Sequence, residues 1–164
     1  MGFRTDQIHA GVTPDPTTGG ILTPIHQTTT FVQPSVDDYM AKGFSYSRSG
    51  NPTVQALQDK LAVIEGGAAA LAFATGMAAT NAVFMAMLNA GDHVVISDVA
   101  YGGTYRLATQ VYTRFGVEVS FADTADLDAV AASIRDNTRL VFTETPANPT
   151  LKYTDLAGVS EIAR

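Results

Sequence analysis

At 164 residues, with 46% hydrophobic and 16% charged side chains, the chain has the length and balance of a globular protein with one real core. Its net charge of -6 and pI near 4.8 argue against nucleic acid or anionic lipid as a partner, because both demand a basic stripe. Without cysteine there is no disulfide framework and no thiolate metal site, and His9, His26 and His93 lack metal-ligand spacing, so no metal is expected.

No apolar run has signal-peptide or bilayer-spanning length, which predicts a cytoplasmic protein with no membrane association. Residues 1–50 are rich in Gly, Pro, Thr and Ser and carry no sustained periodicity, so they read as an extended arm. Such a segment buries little apolar surface alone and is expected to lie across a second copy of the chain.

From residue 51 to residue 164 the pattern changes to helices alternating with short apolar strands. Asn51-Pro52 predicts a helix start, with Val54, Leu57, Leu61 and Ile64 as its apolar stripe and Gly66-Gly67 as its end. A buried strand is predicted over 70–74, a helix over 76–88, a turn over 89–92 and a strand at His93–Ser97. A helix over 103–115, a strand over 117–121, a helix through Leu127, Val130, Ala131 and Ile134, and a last strand over 140–144 follow. A final helix begins near Thr154, read as its cap, and is still open at Arg164. Strands that are apolar nearly throughout, separated by helices, imply an α/β protein with a mainly parallel sheet flanked by helices.

In open α/β sheets ligands gather beyond the carboxyl ends of the strands. That singles out Thr75-Gly76-Met77, Asp98-Val99-Ala100-Tyr101-Gly102-Gly103 and Glu144-Thr145-Pro146-Ala147-Asn148-Pro149. At Gly76 a helix start can offer the N–H groups of Gly76 and Met77 to a phosphate, helped by the helix dipole. A chain-turning glycine explains the same residue as well. One glycine is too few for a dinucleotide fingerprint, and no Gly-Lys-Ser/Thr of a P-loop follows, so a single small phosphate fits best.

Tyr101 suits stacking on a planar ligand, or equally a rim position over the core. Asn148, between Pro146 and Pro149, suits an amide donor toward a ring oxygen, or a turn. Arg48, beside Tyr46 in the arm, suits a bidentate phosphate clamp reaching a neighbouring subunit, or an ordinary solvated charge.

The runs Tyr-Ser-Arg-Ser-Gly-Asn-Pro-Thr (46–53), Thr-Gly-Met-Ala-Ala-Thr (75–80), Asp-Val-Ala-Tyr-Gly-Gly-Thr-Tyr-Arg (98–106) and Glu-Thr-Pro-Ala-Asn-Pro-Thr-Leu-Lys (144–152) together resemble the Cys/Met-metabolism family of pyridoxal-phosphate enzymes. Its members include cystathionine γ-synthase, cystathionine β- and γ-lyases, methionine γ-lyase and O-acetylhomoserine sulfhydrylase, and the likeness covers essentially the whole chain. It implies the aspartate-aminotransferase-like fold type I, with 51–164 as the first part of the large cofactor domain.

By the same resemblance, Gly76 and Met77 bind the phosphate of pyridoxal 5'-phosphate, and Tyr46 and Arg48 bind that of the adjacent subunit. Tyr101 stacks on the pyridine ring and Asn148 lies near its phenolic oxygen. Arg106 and Glu144 fall on the substrate side, Glu144 organising rather than reacting. The implied protein is a homo-oligomer, a dimer of dimers, acting on amino-acid substrates in cysteine and methionine metabolism by β- or γ-elimination or γ-replacement.

Thr75 replaces the serine common before the phosphate-loop glycine and keeps its hydroxyl. The family's Schiff-base lysine, pyridine-pairing aspartate and carboxylate-binding arginine match nothing in this chain, whose lysines are Lys42, Lys60 and Lys152. It therefore resembles the N-terminal part of its family and is expected to be inactive alone. Two other readings stand beside it: a non-catalytic partner of a separately encoded C-terminal part, and a plain phosphate-ester binding module.

Overall fold

The computed structural model describes residues 2–37 and 43–164, so Lys42 lies outside the described residues. Two compact units divide between Ala72 and Phe73.

Among its described residues the first unit contains the helices α1 (Phe3–His9) and α2 (Pro52–Glu65). The arm thus opens on a helix where continuous irregular chain is predicted. Asp6 in its first turn and His9 in its last complement the helix dipole. Gly11, at φ +66°, follows it and brings the backbone against α2, where a Cβ would lie 2.7 Å from the Lys60 nitrogen. The Lys60 ammonium donates to the Ile8 carbonyl at 3.1 Å.

Helix α2 starts and stops as its sequence predicts. The Asn51 side chain accepts from the Thr53 N–H at 2.9 Å, Pro52 takes the first turn, and Gly66 closes the helix in the left-handed region at φ 67°. Residues 70–74 do not form the predicted strand: they join no ladder, the Ala72 N–H is taken by the Gln58 side chain at 2.9 Å, and Leu71 is 74% exposed. An apolar run becomes a strand only beside a partner that takes its backbone groups, and none of the three strands described does so.

The second unit is a three-stranded parallel sheet, order β2-β1-β3, from β1 (His93–Ser97), β2 (Glu118–Ala122) and β3 (Thr138–Phe142). β1 is central and every one of its residues is buried, the pattern of a strand covered on both faces. On one face Val94 and Ile96 pack in a cluster with Phe84 and Leu88, from α3 (Gly76–Met87) and its cap, and with Ala108, Tyr112 and Val117. Phe84 meets Tyr112 and Phe142 edge-on at 5.3 and 5.5 Å between centroids, the favoured aromatic geometry.

On the other face Ser97 accepts a hydrogen bond from the Thr124 hydroxyl at 3.1 Å, and Thr124 in turn pairs with Thr154 at 2.7 Å. There α5 (Leu127–Ser133) meets α6 (Leu156–Ile162) closely, so that a Cβ at Gly158 would come 2.5 Å from the end of the Leu127 side chain.

The long helix predicted over 103–115 is one rod whose winding changes. It runs as α4 (Gly102–Arg106), a π-helical turn (Leu107–Val111) and a 3-10 turn (Tyr112–Phe115), closed by Gly116 at φ 81°. β3 begins and ends two residues earlier than predicted, so Thr143 and Glu144 leave the sheet and enter its exit loop. Asp155, not Thr154, caps α6, accepting from the Ala157 and Gly158 N–H groups at 3.1 Å each. The Thr154 hydroxyl is consumed in the buried pair with Thr124. No helix among the described residues is long and apolar enough to cross a membrane.

Candidate active site

The exits of β1 and β3 and the start of α3 enclose a cleft of about 440 Å³ lined by Thr75, Gly76, Met77, Tyr101 and Glu144, with Thr80, Thr104, Phe142 and Thr143 completing the wall. Each lining residue follows from local structure. Thr75 caps α3 by accepting from the Ala78 N–H at 3.0 Å, so the serine-to-threonine change retains the hydroxyl that builds the helix start. The N–H groups of Gly76 and Met77 have no acceptor among the described residues. A Cβ added at Gly76 would meet no atom within 4 Å, so packing does not demand glycine there. The bare helix start leaves room for a ligand to approach the backbone itself.

Tyr101 sits at the head of α4, 59% exposed, and its N–H donates to Glu144 Oε2 at 2.8 Å. That bond ties the β1 exit to the β3 exit through the Glu144 carboxylate. Gly103 is the second constraint: a Cβ there would lie 2.4 Å from the Tyr101 ring and 2.8 Å from the Met77 sulfur. Glycine at 103 therefore leaves room for the Tyr101 ring and the Met77 sulfur where they lie.

The other expected residues fall elsewhere. Asn148 and Arg106 are exposed and do not line the cleft. Tyr46 and Arg48 belong to the first unit, where the Arg48 guanidinium stacks over the Tyr46 ring at 4.8 Å. Around them Ser47, Ser49, Gly50 and Asn51 shape a polar hollow of about 240 Å³ that also includes Arg48. Sequence reading did not single out the wall residues Thr80, Thr104, Phe142 and Thr143. Thr80 carried a signal, being one helical turn from Gly76.

One ion cluster also went unread. The Lys152 ammonium pairs with Asp98 at 3.1 Å and with Asp123 at 2.9 Å. The hydrogen bond from Lys152 holds the Asp123 carboxyl below its ordinary range, helped by the Ala125 N–H. The same two carboxylates, Asp123 first, push the Lys152 ammonium up.

Unpaired helix N–H groups, threonine hydroxyls, a bare glycine at the helix start and a tyrosine held at the rim form a donor set that fits a phosphorylated aromatic cofactor. The chain belongs to the family described as Cys/Met metabolism PLP-dependent enzyme, whose match spans residues 4–164, and pyridoxal 5'-phosphate is the cofactor of that family.

Among curated relatives, cystathionine gamma-synthase of Mycobacterium tuberculosis is 50% identical over 161 residues, which cover 98% of this chain and 41% of the relative. Cystathionine gamma-lyase of Bacillus subtilis is 45% identical over 164 residues, covering all of this chain and 42% of the relative. Two crystal structures superpose over 99% of the chain and 42% of their own. They are metB from Corynebacterium glutamicum (TM-score 0.92, 46% identity) and cystathionine gamma-lyase from Lactobacillus plantarum complexed with L-serine (TM-score 0.90, 42% identity). The chain thus spans about two fifths of the length of the relatives it matches, and its fold is that of pyridoxal-phosphate cystathionine lyases and synthases.

Proposed function

We propose that the complete protein is a pyridoxal-phosphate lyase or transferase of sulfur amino-acid metabolism. It would act by β- or γ-elimination or γ-replacement on cystathionine, methionine or O-acylhomoserine-type substrates. The observation that carries this reading is the pair of unpaired N–H groups at Gly76 and Met77 facing a cleft with Tyr101 at its rim.

When bound, the cofactor supplies a carbonyl that captures the substrate amine and a ring that stores the electrons released at its α-carbon. This chain's own residues do the holding. Gly76 and Met77 bind the phosphate through N–H groups aligned with the helix dipole. Tyr101 covers the ring, and Glu144 fixes Tyr101 through its backbone. Asn148 would serve the ring's phenolic oxygen and Arg106 the substrate, both from outside the wall of the cleft.

Tyr46 and Arg48 hold the phosphate of a second copy, so the working unit is a homo-oligomer, a dimer of dimers, with sites shared between copies. The stacked Tyr46–Arg48 pair supports this role, since a guanidinium pre-ordered on a ring loses less freedom on gripping an anion. Residues 1–50 serve as the arm, 51–164 as the first part of the cofactor domain, and the protein works in the cytoplasm.

A second reading is a chain without activity of its own that completes its site with a separately encoded polypeptide. The two described lysines are both engaged, Lys60 with the Ile8 carbonyl and Lys152 with Asp98 and Asp123, as either reading expects.

The test is turnover by the intact gene product supplied with pyridoxal 5'-phosphate and either cystathionine or an O-acylhomoserine plus cysteine. Release of an α-keto acid, or formation of cystathionine, supports the first reading. Absence of both, with cofactor bound, leaves the second.

A further inference from the structure

Three loops leave the carboxyl ends of the three strands, and one side chain reaches all of them. Asp98 follows β1, Asp123 follows β2, and Lys152 lies in the loop that follows β3. The Lys152 ammonium lies 3.1 Å from both oxygens of Asp98 and 2.9 Å from Asp123. Its main chain works as well, because the Lys152 carbonyl accepts from the Ala147 N–H at 3.0 Å and closes the loop that carries Asn148. Ala147 is fully buried beneath that closure.

The β1 and β2 exits are already joined by backbone, with the Asp98 N–H donating to the Ala122 carbonyl at 2.9 Å. The β1 and β3 exits lie side by side with no such bond. Among the described residues, the hydrogen bonds and ion pairs that join the cleft's Tyr101 loop to the β3 exit loop are the Tyr101 N–H to Glu144 contact and the Lys152 to Asp98 pair. Without the cation, two carboxylates would face one another at the mouth of the sheet, and like charges at that range repel. Lysine suits the position because one compact ammonium can serve two acceptors at once.

We propose that Lys152, through its bridge to Asp98 and Asp123, is a positioning residue that fixes the Tyr101 loop and the Asn148 loop in the arrangement that receives the cofactor ring. The inference rests on the reading of the cleft as the pyridoxal-phosphate site. Lys152 touches neither cofactor nor substrate in this role; it acts through the two loops.

The experiment compares the intact gene product with Lys152→Met, Lys152→Arg and the neutral triple variant Lys152→Met/Asp98→Asn/Asp123→Asn. Three quantities are read: thermal midpoint, pyridoxal 5'-phosphate dissociation constant, and hydrogen exchange of the Tyr101 and Ala147 amides in apo-protein. Lys152→Met is expected to weaken cofactor binding by up to about fivefold, the scale of a partly exposed ion pair. It should also speed exchange at Tyr101 and Ala147.

Lys152→Arg should recover most of both. The triple variant should recover the thermal midpoint, having no unpaired carboxylates, while cofactor binding stays weak. Recovery of cofactor binding along with stability in the triple variant would reduce Lys152 to a stability role and overturn the inference. So would wild-type affinity in Lys152→Met. Failure of the wild-type protein itself to bind pyridoxal 5'-phosphate would instead sink the reading of the cleft, and the inference with it.

Discussion

The two units are built on opposite plans. Among the described residues of the first unit none is buried, and Ile21, Leu22, Ile25, Val32 and Val36 are 71–87% exposed. That unit is held by caps and backbone contacts. The Phe31 and Ser47 N–H groups donate to the Ser45 and Thr29 carbonyls, and the Asn51 amide reaches the His26 carbonyl. The second unit carries the whole buried core, from Phe84 to Val159. A region that leaves large aliphatic side chains in water offers apolar surface for a partner to cover, whereas one with a closed aromatic and aliphatic cluster already buries its own.

Substitutions that delete apolar volume should separate the two plans most sharply. Phe84→Ala removes the ring at the centre of the core cluster and its two edge-on contacts, and is expected to cost about 3–5 kcal/mol in chemical denaturation. Ile25→Ala in the arm should change the stability of an isolated chain by less than about 0.5 kcal/mol. The same change should lower oligomer affinity on dilution if the arm lies on a second copy. A large effect of Ile25→Ala at concentrations where only monomer exists would break the contrast.

Gly103→Ala comes next, because the new methyl must displace the Tyr101 ring and the Met77 sulfur. Both are side-chain atoms of a 59%-exposed tyrosine and a flexible methionine, so the stability cost should be at most about 1 kcal/mol, while cofactor binding should weaken more than in Gly102→Ala, whose nearest neighbour is the end of Arg106 at 3.4 Å. Asn51→Ala removes the α2 cap and should cost about 1 kcal/mol, all of it in the first unit.

The smallest effect is read through pH. His93 is fully buried between the Thr138 and Ser120 hydroxyls, at 2.8 and 2.9 Å. Burial lowers its basicity first, and Arg135 adds to this while Glu118 opposes it. The unfolded ring therefore takes up a proton at a higher pH than the folded one. Stability from this residue is present above roughly 6.5 and is lost as the pH falls below that value. His93→Gln should flatten that part of the thermal-midpoint profile, and an unchanged slope would show the ring contributes nothing there.

What the sequence made legible follows the same division. Asn51, Pro52 and Gly66 act locally, through caps and backbone preference, and their helix appears where they predict it. His93–Ser97 was readable because a strand covered on both faces is apolar without interruption. Residues 70–74 are equally apolar, yet strand formation is decided by a neighbour and not by the run itself. Thr154 could not be told from Asp155 as a cap because both can accept from free N–H groups. Burial next to Thr124 decided between them.

In the site, Tyr101 and Glu144 were legible from their positions after β1 and β3, and Gly76 and Met77 from a glycine opening a helix; the four meet in one cleft. The Lys152 bridge was not, since its three members are separated by tens of residues and only the parallel sheet aligns their loops.

The most direct measurement is a crystal structure of the intact gene product grown with pyridoxal 5'-phosphate. The phosphate is predicted within hydrogen-bond distance of the Gly76 and Met77 N–H groups, with Tyr101 flat against the ring and Arg48 from a second copy completing the grip. A phosphate bound away from the start of α3, or Arg48 left in bulk solvent, would contradict it.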